Sequence, residues 1–326
     1  MGVPCRSFMH APRGLGEAGV ILSATMRTAS CTSILIVLIL AFCLPLNVLA
    51  AYPPDPLKDY DWPYSSEGSV AAIQNRFNAA RNNENTQLGT SIPNMTLPSE
   101  AVWDNMADGE RALWLINRER MDRGIAPLDS TELNVTGVAQ DYAQFLLDND
   151  AFSHDADGRT PWERLMSNPA INACHDPFVV ENLAVLWGGW TLPVERAVYM
   201  WMYDDSGSSW GHRHNILWYP YNDNSGPLGK EAFLGIGRAT GPHQGWADSD
   251  MIVMDVFDPC ATWVYVVAGD LDGNGTMGLE DAILALMVIS NQDVQGSVHP
   301  DREVDQDGKI GLADALYILQ ALAALR

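Results

Sequence analysis

WMYDDSGSSWGHRHNIL, residues 201–217, is the stretch on which the reading of this chain turns. An amphipathic helix ends in it, residues 206–209 form a turn, and Asp204 and His212 stand on either side of that turn. A carboxylate and an imidazole brought together in this way share a proton, or hold a metal with one coordination position left open. Two further residues of the same chemistry lie upstream, His154 in AFSHDADG and Glu181 in VVENLAVL.

Working outward from that stretch, Pro193 opens the helix that ends there, with Val194, Val198, Trp201 and Met202 as its buried stripe. A first helix is expected over 99–123, stopped by Gly124. A second, capped by Thr131, carries Val135, Val138, Ala139, Tyr142 and Leu146 at helical spacing and delivers His154 into a loop. Thr160 and Pro161 open a short third. Apolar runs over 178–186, 232–239 and 251–257 have strand length. Interleaved helices and strands that do not alternate as βα units make an α+β protein.

Six pieces of the chain, LINRER (115–120), GIAPL (124–128), FSH (152–154), ENLA (181–184), GHRHNIL (211–217) and LGIG (234–237), resemble the CAP superfamily in family order. That group contains cysteine-rich secretory proteins, antigen five allergens and plant pathogenesis-related proteins. The resemblance implies a three-layer α-β-α sandwich with a largely antiparallel sheet. It also implies a cleft lined by a tetrad of His154, Glu181, Asp204 and His212, with Asn117 and Arg120 in buried hydrogen-bonding roles. Asp204 departs from the family, in which a longer acid commonly stands three residues after the tryptophan.

The chain has 326 residues, a formal charge of -22 and a pI near 4.4. Phosphate binding needs clustered Lys and Arg, so nucleic acid is excluded as a partner. Met26, Arg27 and the apolar run over 33–48 read as a signal peptide ending at Val48-Leu49-Ala50, which leaves no transmembrane segment after cleavage; the rival reading is an uncleaved membrane anchor over 33–51, with Pro45, Asn47 and the small residues at the end favouring cleavage. The expected location is secreted, periplasmic or at the cell surface. Cleavage leaves two of five cysteines, Cys174 and Cys260, and in an oxidising compartment one disulfide between them is the economical reading. The expected organisation is a leader over 1–50, with Met26 an alternative start, then a linker and accessory helix over 51–96. The CAP-like domain follows over 97–262, a linker over 263–268, and a C-terminal module over 269–326.

In that module Asp270, Asp272, Asn274, Gly275 and Asp281 are matched 33 residues later by Glu303, Asp305, Asp307, Gly308 and Asp314. Oxygen ligands at loop positions one, three, five and twelve, with glycine at six, make an EF-hand-like calcium loop, and Thr276 and Lys309 would lend carbonyls. Two calcium ions are therefore expected, in a small all-α module of two loop-helix repeats. The duplicated unit resembles dockerin modules, which implies a cohesin-like partner met at Leu279-Glu280 and Leu312-Ala313. Ile283, Leu286, Met287, Leu316, Ile318 and Leu319 read as the module's own core. His175, His214 and His243 match no motif and are expected at the surface.

Chemically, two imidazoles with a carboxylate match a divalent metal, with zinc expected on His154 and His212. Without a metal the same groups work as an acid/base pair, or simply tie helices to the sheet. Ser208 and Ser209 sit in no nucleophile elbow, so a serine hydrolase is set aside. Three functions stay open on the sequence: a module binding a lipid or cell-surface ligand, a metal-dependent hydrolase, and a structural extracellular protein.

Overall fold

The computed structural model describes residues 53–62, 68–171, 178–218, 232–259, 267–292, 294, 298–304 and 307–323. All of these belong to one of the two compact units into which the chain divides. The expected signal peptide, Cys174, Cys260, His175 and Asp305 lie outside the described residues.

One four-stranded sheet organises the protein, in the order β1 (Ser130–Thr131), β3 (Phe233–His243), β4 (Trp246–Asp258), β2 (Phe178–Trp187). The short β1 runs parallel to β3, and the other pairs are antiparallel. The chain is thus a mixed α+β protein, with helices on both faces of the sheet. Side chains alternate across a strand. One face therefore carries Glu181, Leu183, Val185, Val253 and Asp255, and the other carries Val180, Asn182, Ala184, Ile252, Met254 and Val256.

The first face is covered by α4 (Leu133–Asp148) and α5 (Pro161–Met166). Gly235 and Gly237 let α4 lie directly on β3: a Cβ at Gly235 would sit 2.5 Å from the Val135 carbonyl carbon, and one at Gly237 would overlap the Ala139 backbone. The second face packs α1 (Val70–Leu88), α3 (Asp108–Met121), α6 (Pro193–Tyr203) and α7 (Gly211–Leu217) around the largest apolar cluster. Each large side chain buried there, such as Phe77, stabilises the fold by about 1.5–3 kcal/mol.

Within the segment over 51–96, expected as a linker and accessory helix, α1 is packed into the core. Ile73, Phe77 and Ala80 of α1 sit in the central cluster, and Tyr60 pairs with α6 through Tyr60 N to Tyr203 O, 2.7 Å, and Tyr199 Oη to Tyr60 O, 2.6 Å. A buried charge cluster binds α1 to α3 and α7. Arg81 Nε reaches Glu119 at 3.1 Å, Arg123 Nη2 reaches Glu84 at 2.6 Å, and Arg213 Nη2 reaches Glu84 at 2.6 Å.

Two helix starts differ from expectation. The helix expected over 99–123 is two, α2 (Glu100–Trp103) and α3, because Trp103 turns into the core, where its Nε1 donates to Glu195 at 2.9 Å. Thr131 pairs with Leu234 in the sheet, and the longer Glu132 caps α4 by accepting from Val135 N at 2.7 Å.

In the C-terminal region α8 (Leu279–Ile289) and α9 (Leu312–Leu322) meet through Ala282, Ala285, Ala315 and Ile318, with Leu271. Of the six residues expected to form this core, Ile318 is buried, whereas Ile283, Leu286, Leu316 and Leu319 are 40–49 % exposed. Small alanines at the helix contact allow close approach, and this turns the larger residues outward.

Candidate functional site

The turn after α6 sets up the first half of the site. The helix stops at Tyr203, Ser206–Ser208 makes one 3-10 turn, and Ser209 and Trp210 both adopt left-handed backbone, at φ 55° and 61°. Two adjacent non-glycine residues in that region cost about 1–3 kcal/mol each, so the turn must be held by its neighbours. Asp205 holds it. Its main-chain oxygen accepts from Trp210 N at 3.0 Å, and its Oδ2 caps α7 at His212 N, 2.9 Å, and Arg213 N, 3.1 Å. Its Oδ1 lies 2.6 Å from His212 Nδ1.

Asp205 therefore stands where Asp204 was expected. Asp204 is the exposed C-cap of α6. The residue as a whole is exposed but its carboxyl is partly covered, and that partial burial, with Asp61, Asp59 and Asp205 nearby, pushes it up to about 6.

The second half is built around Glu181 on β2. Glu181 Oε1 lies 2.7 Å from His154 Nδ1, and Glu181 Oε2 accepts from Arg164 Nη2 at 2.5 Å. Arg164, on α5, also donates to the main-chain oxygens of His154 and Arg159, each at 2.9 Å, and its guanidinium lies 3.3 Å above the Tyr142 ring centre. Burial pushes the Tyr142 hydroxyl up to about 12. Asp255 is the cross-strand partner of Glu181 and is also fully buried. Burial and the Glu181 charge hold its carboxyl well above the usual range, opposed by Arg164.

The two imidazole-carboxylate pairs are tied to the same edge strand, β2. In an edge strand alternate carbonyls point away from the sheet and need partners. Asn215 Nδ2 supplies one to Glu181 O at 3.2 Å, and Trp201 Nε1 supplies another to Leu183 O at 3.0 Å. Asn215 also donates to Asn182 Oδ1 at 2.7 Å, and Asn182 Nδ2 donates to His212 O at 3.0 Å. His154 with Glu181 and His212 with Asp205 are thus joined across one strand by two amides. Asn117 and Arg120 are, as expected, hydrogen-bonding ties: Asn117 with Leu128, Arg120 with the main-chain oxygens of Ala126, Ile216 and Trp218.

An imidazole whose Nδ1 is held by a carboxylate has Nε2 on the far side of the ring from that acid, the arrangement in which second-shell acids orient metal-bound histidines. Among the described residues, however, no three ligating atoms of this constellation come within 4.8 Å of one another. The acids that do so are Asp270, Asp272 and Asp281. In that first loop Gly275 N donates to Asp270 at 3.0 Å and Gly278 N to Asp281 at 2.6 Å. The second loop repeats the pattern with Gly308 N to Glu303 at 3.1 Å and Gly311 N to Asp314 at 2.6 Å. Asn274 and Asp307 each accept from the backbone two residues on, at Thr276 and Lys309.

Two histidines expected at the surface are not there. His243 is 1 % exposed, and His214 is largely covered and paired with Asp55 at 2.8 Å. The sequence reading also missed Asp205, Arg164 and Asp255. Asp205 adjoins the residue chosen in its place, whereas Arg164 and Asp255 reach Glu181 only through helix packing and strand register.

No family model and no curated protein matches the chain. Solved structures with similarity include an extracellular protein containing a SCP domain from Bacillus anthracis str. Ames, at 19 % identity and TM-score 0.30, covering 46 % of this chain and 39 % of that one. Another is an outer surface protein from Borrelia burgdorferi, at 18 % identity and TM-score 0.31, covering 45 % of this chain and 91 % of that one. Among the described residues no helix is long and apolar enough to cross a membrane.

Proposed function

We propose that this chain is an exported CAP-type binding protein whose paired histidines, His154 and His212, take a small ligand or a divalent metal such as zinc. The observation that carries this reading is the pair of buried imidazole-carboxylate contacts bracketing the edge of β2, each with Nδ1 held by an acid. Zinc on the two Nε2 atoms would leave positions for water or a ligand. The hydrolase alternative, in which His154, His212 and Glu181 would hold the metal and Asp204 would act as general base, is weaker, because Asp204 is exposed outside the constellation. The apolar leader supports export.

The C-terminal region is proposed to bind two calcium ions and to dock to a cohesin-like or other extracellular protein. The grouped Asp270, Asp272 and Asp281 support the first ion. Exposed Leu279, Ile283 and Leu286, repeated as Leu312, Leu316 and Leu319, supply an apolar surface for a partner.

Elemental analysis of the chain from residue 51, after zinc loading and dialysis, tests the first reading beside His154→Ala and His212→Ala. Near-stoichiometric zinc in the parent, lost from both variants while calcium is retained, is the expected result for a metal site. Zinc equally retained by both variants would refute it, and no zinc in the parent would leave the small-ligand reading, tested by thermal shift across lipid classes.

A further inference from the structure

Behind the His154–Glu181 pair, between α4 and α5, lies a cavity of about 210 Å³ lined by Asp141, Tyr142, Phe145, Asp157, Arg159 and Arg164, among others. Neither His154 nor His212 lines it. We propose that this cavity is a separate binding site for a single sugar ring, free or at the end of a glycan, and that Arg164 and Glu181 transmit its occupancy to His154.

Size and chemistry both select the ligand. Sites for drug-sized molecules run to about 300–1,000 Å³, so this one is too small for a sterol or a fatty acyl chain. Two carboxylates and two guanidiniums line it, leaving no net charge to favour an ion. A hydroxyl both donates and accepts, so a ring of hydroxyls pairs with either sign, while its C–H face packs on Phe145, which is partly buried. Asp141, at the exposed rim, offers acceptors. Arg164 is 2 % exposed, and its Nε makes no hydrogen bond, leaving a buried donor of the kind that folded proteins seldom leave unused.

The walls are fixed before any ligand arrives. Tyr142 Oη donates to Ser153 O and accepts from Ala156 N at 3.1 Å, and Arg164 bonds Asp157 at 3.1 Å. Arg164 is also the link onward, since its Nη2 holds Glu181, which holds His154. A sugar that draws on Arg164 thus reaches His154 through two hydrogen bonds, with no element required to move.

Ligand-observed saturation-transfer NMR on the full chain tests the site with glucose, galactose and N-acetylglucosamine, each to about 50 mM. Dissociation constants of about millimolar are expected for a ligand of this size. Asp141→Ala and Arg159→Ala, both at exposed positions, should each weaken binding about tenfold or more. In labelled protein the His154 ring resonances, assigned with His154→Ala, should shift with sugar in the parent but not in Arg164→Lys. Three results would overturn the proposal: no transfer to any of the sugars, binding unaltered in both variants, or His154 unmoved at saturation. Because zinc retention is read separately, failure here leaves the histidine reading standing, and the reverse.

Discussion

Replacing Glu119 by Gln probes the buried charge cluster that binds α1 to the rest of the protein. Glu119 is fully buried and accepts from Arg81, Arg123 and the Tyr203 hydroxyl, the last at 2.8 Å. Burial alone would raise its carboxyl, but Arg81 and Arg123 outweigh it and lower the value from 4.5 to about 2. By linkage this separation is worth about 3 kcal/mol at neutral pH. The sign follows from the lowered value: the contribution is complete above the unfolded 4.5 and is lost as pH falls toward 2, because the unfolded chain takes up its proton first. At pH 3 about 2 kcal/mol of it has gone. Glu119→Gln takes from each of two buried guanidiniums one of its two carboxylate partners, leaving Asp122 to Arg81 and Glu84 to Arg123, and should cost about 3 kcal/mol at pH 7. At pH 3 the gap to the parent should narrow by about 2 kcal/mol. Urea titration followed by tryptophan fluorescence measures both values and is silent for α8 and α9, which contain no tryptophan. A cost below about 1 kcal/mol at pH 7, or a gap unchanged at pH 3, would refute the assignment of the cluster as a stabilising clasp.

Three other outcomes are expected. Asp204 has a raised value, so its native form keeps a proton that the unfolded chain has lost, and stability falls as pH rises from 3.8 through about 6. Asp204→Asn should remove that fall, as read by thermal melts at pH 4 and pH 7, and should leave zinc retention unchanged; Asp205→Asn should impair retention. Gly237→Ala drives a methyl into the Ala139 backbone and should destabilise by about 1–3 kcal/mol or more in the same urea assay. In the C-terminal region Ile318→Ala should speed amide exchange across α8 and α9, whereas Leu316→Ser, at an exposed position, should leave it within error of the parent.

Much of the site was legible before the fold. Motif order pointed to His154, Glu181 and His212; the structure pairs His154 with Glu181 and gives His212 a different acid, Asp205, with Asn182 and Asn215 linking the two pairs. Helices opened by Pro161 and Pro193 and the three main strands were also readable, because proline placement and apolar runs are local signals. Asp204, the acid expected beside His212, is not the one that meets it; its neighbour Asp205 is. Two adjacent aspartates are equivalent in composition, and only the geometry of the helix end decides which one turns back to His212.

What the sequence determined by itself was local: residue types at motif spacing, helix starts marked by proline, strand runs, an acidic duplicated loop pair and an apolar leader. What the tertiary structure decided was every partnership between distant segments. Arg164 and Asp255 join Glu181 because α5 packs over β2 and because β4 pairs with β2 in one register, which a shift of one residue would undo. Arg81, Glu119 and Arg213 on three helices, and Arg123 just past the second of them, look like surface charges, yet their side chains are buried, because each cancels another in the low-dielectric interior. The apolar stripe of α8 and α9 faces outward for the converse reason. Helical periodicity marks a side chain's face, but only the contact through Ala282, Ala285 and Ala315 settles which face is inside.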